Sequence, residues 1–406
     1  MTATNLLPLE WPIAETHLPE RRERPVLSII IPTYNRTVEM VQAVESIYEQ
    51  INSDLARKAE VIISDNASGP EHQEAIRNLA RRFPGLCYYF NALNGDAELQ
   101  WLTAPHRARG EWTWLFGDDD LLATGGVEHV VRRLEAERPY FLTLNRCVVD
   151  NELKRVLSTS KHNAPSASFP TIIDLSVYIG IDQLSFITSQ VYHTETAKSV
   201  DVNAYHQRRS GYAQIAYYVE AFADLPSAYE AEVFVIHRWH PEDHLKHSIQ
   251  FRHLSTYLPR DFAFVRERTG MPRDLMERLG GVKSADIRRQ HRVTFVDYVL
   301  HYLFAAITTG PVDPNEWEFL EAEATNWRAD RLAAVQKAHQ LYDELAKHRH
   351  EVLVRNGELQ LIQEKAGMPD ALKRLASATH SHELSLLNER IMVLSREALA
   401  ISETYI

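Results

Sequence analysis

The stretch Glu111-Trp112-Thr113-Trp114-Leu115-Phe116-Gly117-Asp118-Asp119-Asp120 decides the reading of this chain. An apolar, aromatic-rich run of this length reads as a buried strand. A strand that ends in three carboxylates must release them at its C-terminal edge, because unpaired buried charge is too costly. Oxygen ligands clustered there suit Mg²⁺ or Mn²⁺, and such an ion usually also holds substrate phosphates. Ligands of open α/β sheets bind at that same edge.

Upstream, a regular alternation leads to this strand. Val26 to Ile31 is a β-branched run stopped by Pro32, which removes a ladder donor. Thr37 to Gln50 places Val41, Val44, Ile47 and Tyr48 on one helical face. Val61-Ile62-Ile63 forms a second strand, Pro70 opens a helix to Phe83, and Leu86 to Phe90 forms a third strand. Ala97 to Arg109 reads as helix. Continuous apolar strands alternating with helices predict an α/β fold, with a parallel sheet covered on both faces. Downstream, the pattern predicts a helix over 125–137, a strand over 140–149 and a loop over 158–170. A strand over 184–193, a helix over 211–222 and a last strand over 231–239 follow. Residues 1–24, rich in Pro, Glu and Arg, read as an N-terminal arm. After about residue 243 the pattern is helical, which predicts an all-helical C-terminal domain over 241–406. There Leu384, Leu387, Ile391, Leu394, Ala398 and Ile401 form an a/d seam, for packing within a bundle or for a homo-oligomer.

Composition narrows the function. The 406 residues are 45% hydrophobic and 24% charged, an ordinary globular balance. The net charge of −11 argues against a non-specific nucleic-acid binder. Cys87 and Cys147 sit in apolar runs and make neither a disulfide framework nor a zinc spacing, which fits a cytoplasmic chain. Met1 to Glu23 lacks the pattern of a secretory signal. The most apolar segment, Val293 to Thr308, is too short for a membrane span and carries Asp297 and His301. Peripheral contact with a membrane remains open.

Each strand end offers chemistry. Pro32-Thr33-Tyr34-Asn35-Arg36 exposes backbone and an aromatic ring beside a helix start, which can receive a base or phosphate. Ser64-Asp65-Asn66-Ala67-Ser68 places a carboxylate at the sheet edge, where it can bind a nucleoside or close a turn. Asn91 to Asp96 contains an Asn-Gly turn. Arg107 and Arg109 follow, as phosphate contacts or as a solvated helix face.

In order and spacing these motifs, with Ala108-Arg109-Gly110-Glu111-Trp112 leading into Phe116-Gly117-Asp118-Asp119-Asp120, resemble the family 2 glycosyltransferases. The Gly-Asp-Asp-Asp form looks most like the O-antigen and abequosyltransferase-like branch. The resemblance covers about residues 25–240 and implies a GT-A fold there. It implies that Pro32, Thr33, Tyr34 and Arg36 line the nucleotide pocket, that Asp65 bonds the base, and that Asn94 belongs to the same pocket. Asp118 to Asp120 match the DXD motif. Asp119 is the first choice for metal ligation, with Asp118 near the ribose and Asp120 a ligand or a water-mediated contact. His240 is a further metal ligand candidate, and Arg238 a contact to the diphosphate. The implied reaction is inverting transfer of a sugar from a nucleoside-diphosphate donor, a UDP-sugar favoured, to a hydroxyl on a glycan, lipid-linked or protein acceptor. The implied setting is bacterial surface polysaccharide or glycoprotein assembly at the cytoplasmic side of the membrane.

One departure concerns the general base. Many relatives carry an acidic pair at the start of the helix that begins here near Ser210-Gly211-Tyr212-Ala213-Gln214, and no Asp or Glu stands there. His206 and Glu220 are the candidates nearest in sequence, with Asp182 and Asp201 as further options. Two rivals follow. A nucleotidyltransferase would favour a Gly-rich basic loop after the first strand, where Pro-Thr-Tyr-Asn-Arg stands. A non-catalytic nucleotide-sugar binder or assembly partner would bind nucleotide without turnover.

Overall fold

The computed structural model describes residues 11–21, 23–240, 253–271, 280–281, 293–364 and 368–405. They fall into two compact units, one within residues 1–244 and 261–295, the other within 245–260 and 296–406.

The first unit is built on a mixed sheet. Strand β1 (Ile13–His17) lies on one edge, followed in chain order by β2 (Leu27–Thr33), β3 (Ala59–Asp65), β4 (Cys87–Asn91), β5 (Trp112–Leu115) and β6 (Leu121–Leu122). Then come β7 (Phe141–Asp150), β8 (Val156–Ser158), β9 (Ala167–Phe169), β10 (Gln190–His193) and β11 (Ser227–Trp239). The spatial order is β1-β4-β3-β2-β5-β10-β7-β11-β6, with β8 on β7 and β9 on β11. β4, β3, β2 and β5 are mutually parallel, whereas β10 runs antiparallel to both of its neighbours. The parallel strands are buried on both faces, as their continuous apolar sequence requires.

Helices α1 (Thr37–Tyr48), α2 (Leu55–Lys58), α3 (Pro70–Arg82), α4 (Ala97–Arg107) and α5 (Gly126–Glu137) follow the first strands. Ile29, Ile31, Val61, Ile63 and Trp114 pack in one core with Val44 and Ile47 of α1, Ile76 of α3 and Val130 of α5. Later come α6 (Ile172–Ile179), α7 (Thr194–Lys198), α8 (Val202–His206) and α9 (Ala213–Phe222).

Four segments differ from the sequence reading. In the expected all-helical region 241–406, Gly280–Gly281 pairs with Val293–Thr294 as two short antiparallel strands. Within the expected arm, Ile13–His17 pairs with β4, and Glu15 accepts hydrogen bonds from Arg77 and Tyr88, both at 2.7 Å. Short edge strands in charged sequence lack the alternation that marks a strand. The expected strand over 184–193 is one only from Gln190. Residues 181–185 and 187–189 form 3₁₀ turns, and the Gln190 amide donates to the carbonyls of Gln183 and Phe186. The expected loop over 158–170 contains β9, which pairs with the start of β11.

The second unit is mainly helical. Its long helices α10 (Ala329–Glu364) and α11 (Asp370–Glu403) pack on one another, bridged by Lys337–Glu397, Arg355–Glu383 and Arg390–Glu344. Leu384, Leu394 and Ala398 of the a/d seam are buried in this pairing. The apolar segment 293–308 contains a helix over Phe295–Ala306, and no helix among the described residues is long and apolar enough to cross a membrane.

Glu60, 1% exposed, fixes the approach to β5. It accepts from the Ser28 hydroxyl at 2.5 Å, from the Arg109 amide at 3.0 Å and from the Arg109 guanidinium at 2.7 Å. Glu60→Ala leaves Arg109 without its partner. It is expected to cost about 3 kcal/mol in urea unfolding, the low end for a broken buried pair because Arg109 keeps some water.

Glu230 ties β11 to α5. Burial alone would raise its pKa, but the Glu232 amide, Ser166, His129 and Arg133 outweigh burial and hold it at about 2, against an ordinary 4.5. Because its folded pKa is depressed, its stabilisation is complete above pH 4.5 and is lost as pH falls toward 2. The stability gap between the wild type and Glu230→Gln should therefore close over that range in acid unfolding.

Candidate functional site

The strand ends β2, β3 and β5 meet where the three aspartates emerge. β2 ends at Thr33, whose side chain is buried, and Tyr34 is exposed in the loop that follows. Asn35 adopts a left-handed φ of 54°, and its side chain accepts from the Gly69 amide at 2.9 Å. That bond ties the β2–α1 loop to the β3–α3 loop.

Asp118 accepts from the Thr33 hydroxyl at 2.8 Å and from Arg36 Nη1 at 3.2 Å. The same Arg36 nitrogen lies 2.6 Å from Asp119 Oδ2, so one cation bridges both carboxylates. His240 Nε2 stands 3.2 Å from Asp119 Oδ2. Asp120 turns inward. It accepts from Thr188 and, at 3.2 Å, from the Arg238 amide. The Arg238 guanidinium donates to Gln42 at 2.6 Å.

The electrostatics follow from crowding. Burial, and then the neighbouring Asp119 charge, push Asp118 up to about 6. The same two causes raise Asp120 well above the usual carboxylate range. Burial would lower the pKa of Arg36, but Asp119 and Asp118 raise it. The loop carries more negative charge than Arg36 alone neutralises, and it favours a further cation.

Two carboxylates with an imidazole beside them suit Mn²⁺ or Mg²⁺ in kind. Among the described residues no three such side chains converge into a protein-only metal cage. Ions of this type are commonly held by one or two carboxylates together with substrate phosphates, so the donor set fits such an ion.

Asp65 is fully buried. It accepts from the Ser68 amide at 3.1 Å and from Gln73 at 3.1 Å. His72, which the sequence reading missed, lies 3.9 Å from Asp65, 3.2 Å from the Thr33 hydroxyl and 2.8 Å from that of Thr37. A chain of polar contacts thus links Asp65 through His72 and Thr33 to Asp118. Asn94 is exposed and donates to the Asn66 carbonyl at 3.0 Å. Arg107 donates to Ser64 and Asn91, so both arginines after the Asn-Gly turn serve the sheet.

The base candidates have partners of their own. His206 is 2.8 Å from Asp96. Glu220 accepts from Tyr205 at 2.6 Å and from Arg268 at 3.1 Å. Asp201 caps α8 through the Asn203 amide at 3.0 Å. Asp182 accepts from Gln183 at 2.7 Å, and Lys161 and Arg146 are its charged neighbours.

This geometry can be set beside known proteins. Residues 28–184 match the model of glycosyl transferase family 2. That segment belongs to the family. The family domain thus spans the Thr33–Arg36 loop, the Asp65 loop and the aspartates. The GalNAc(5)-diNAcBac-PP-undecaprenol beta-1,3-glucosyltransferase of Campylobacter jejuni is 29% identical over 133 residues, 32% of this chain and 40% of that protein. Abequosyltransferase RfbV of Salmonella typhimurium is 31% identical over 121 residues, 29% of this chain and 35% of that protein. The chain therefore spans two-fifths or less of the curated relatives it matches. Among solved structures, S. aureus TarS 1-349 has a TM-score of 0.46 at 16% identity, covering 78% of this chain and 91% of that one. Mannosyltransferase PcManGT from Pyrobaculum calidifontis has a TM-score of 0.43 at 15% identity, covering 97% and 91%. The mixed sheet with its helices fits the GT-A fold expected from the match to this family.

Thr188 is the hidden support of the aspartate loop. It is fully buried, accepts from the Gly117 amide at 3.0 Å and donates to Asp120. Thr188→Val leaves both groups without that partner. A loss of about 1–3 kcal/mol is expected in chemical denaturation.

Proposed function

We propose that this chain transfers a sugar from a nucleoside-diphosphate donor to a hydroxyl acceptor in bacterial surface polysaccharide or glycoprotein assembly. The observation that carries this reading is the paired Asp118 and Asp119, bridged by Arg36 and approached by His240. The relatives' names support the setting, since one acts on an undecaprenol-linked glycan and the other is an abequosyltransferase.

In this reading Asp118, Asp119 and His240 would hold Mn²⁺ or Mg²⁺ together with the donor phosphates, and the ion would supply positive charge for the departing diphosphate. Asp120 supports the loop from behind through Thr188. Pro32, Thr33, Tyr34, Arg36, Asp65 and Asn94 receive the nucleoside, with a UDP-sugar as the favoured donor. Arg36 and Arg238 lie on the diphosphate side. Transfer inverts the anomeric centre: the acceptor oxygen attacks C1, and the C1–O bond to the diphosphate breaks. A lipid-linked acceptor would place the chain at the inner face of the membrane. The helical unit presents exposed Leu353, Leu361, Leu372 and Leu375, a surface for self-association or acceptor contact.

A thermal-shift screen of nucleoside diphosphates with and without Mn²⁺ tests the reading. Specific binding at about 100 times Kd stabilises by roughly 2.7 kcal/mol. A metal-dependent shift with one base is expected, as is turnover of the matching sugar donor. Asp119→Ala should abolish both. Turnover that survives this change would remove Asp119 from the metal site, and no shift with any nucleotide would sink the donor-binding reading.

A further inference from the structure

The transfer reaction needs a group that takes the proton of the acceptor hydroxyl, and the carboxylates nearest in sequence to α9 are engaged elsewhere. Glu220 is tied to Arg268, and Asp201 caps α8. A carboxylate from a distant helix does reach the start of α9. Glu98, on the first turn of α4, reaches the N-terminus of α9, 115 residues later in sequence. Its Oε1 accepts from the Ala213 amide at 2.8 Å and lies 3.5 Å from the Ser210 hydroxyl.

Two chains of contacts place Glu98 at the reacting end of the domain. On one side, α4 starts from the Asn94–Gly95 turn, which is pinned to Asn66, the neighbour of Asp65. On the other side, Gln214, the residue after Ala213, donates to the Ser185 carbonyl at 3.3 Å. Ser185 lies three residues before Thr188, which holds both Gly117 and Asp120. Short runs of chain thus connect Glu98 to the Asn66 loop and to the turn that holds Gly117 and Asp120.

We infer that Glu98 is the general base of the transfer reaction, accepting the proton of an acceptor hydroxyl; this rests on the glycosyltransfer reading above. The proton passes from the hydroxyl to a Glu98 carboxylate oxygen as the hydroxyl oxygen bonds to C1. The C1–O bond to the donor phosphate breaks, and its electron pair leaves with the nucleoside diphosphate. Glu98 then releases the proton to water.

The surroundings suit the role. Glu98 is 6% exposed and makes no ion pair among the described residues, so nothing holds it firmly ionised. Burial raises its pKa; the Ala213 amide opposes this, the charges of Asp261 and Asp96 reinforce it, and His206 opposes it. A base whose pKa is drawn toward the working pH is the more effective proton acceptor.

Glu98→Gln tests the inference, because its amide oxygen can still accept from Ala213 and keep the α9 start in place. A panel of UDP-, GDP-, dTDP- and CDP-sugars with Mn²⁺ is followed by release of the nucleoside diphosphate, to water or to a lipid-linked glycan extract. With the donor that the wild type turns over, Glu98→Gln should lower kcat roughly 10²–10⁴-fold. It should leave the donor's thermal shift unchanged and remove the acid limb of the pH profile. Glu98→Asp should recover part of the rate. Wild-type kcat in Glu98→Gln would overturn the inference while leaving glycosyltransfer intact. Loss of the donor shift together with kcat would show a merely structural residue. No turnover by the wild type with any donor would remove the glycosyltransfer reading, and the Glu98 assignment with it.

Discussion

Three adjacent carboxylates at the end of β5 impose the constraint around which the first unit is arranged. Their mutual repulsion, sharpened by burial, has to be met by cations and donors from other parts of the chain. Arg36 comes from the loop after β2, His240 from beyond β11, and Thr188 from the turn before β10. Each stands at a different strand end, so the loop can exist only once the sheet has assembled. The antiparallel insertion of β10 between β5 and β7 has a direct consequence, because it brings Thr188 under Gly117 and Asp120.

Behind that edge a second set of buried ionic groups does structural work. Glu60 gathers Ser28 and Arg109, and Arg107 gathers Ser64 and Asn91. These bonds hold β2, β3, β4 and the entry to β5 in register. The two arginines that follow the Asn-Gly turn are thereby spent on the sheet. Cation–π contact of Arg107 with Trp11 and Tyr89 adds to the same anchoring. The ordered sheet edge explains how a polar loop with Ala67 at a φ of 59° can be held beside Asp65.

Local signals carried much of this into the sequence. β2, β3 and β5 announce themselves by continuous apolar runs, although β2 continues past the expected stop at Pro32 to Thr33, and α3 by Pro70 at its start. Residues 184–189 share the apolar character of a strand, but backbone bonds close 3₁₀ turns there and the Gln190 amide braces them by reaching back to two carbonyls. Periodicity cannot register such a bond. His72, Thr188 and Glu98 were illegible for a related reason. Each acts through a partner far away in sequence, and the residue alone looks like an ordinary helix or strand position.

A helix N-terminus offers free amides and a favourable field for negative charge, and it is indifferent to which element delivers the carboxylate. At α9 that carboxylate is Glu98, delivered by a neighbouring helix that the Asp96 cap and the Asn94 turn fix in place. The two acidic centres of the unit are met by different partners. Burial and the Asp119 charge raise Asp118 to about 6 against the opposing pull of the Arg36 guanidinium that bridges it to Asp119. Glu98 instead accepts from the Ala213 amide, and burial, reinforced by the charges of Asp261 and Asp96, raises its pKa. A bridging guanidinium at the one and a helix-start amide at the other keep the proposed cation site apart from the proposed proton acceptor.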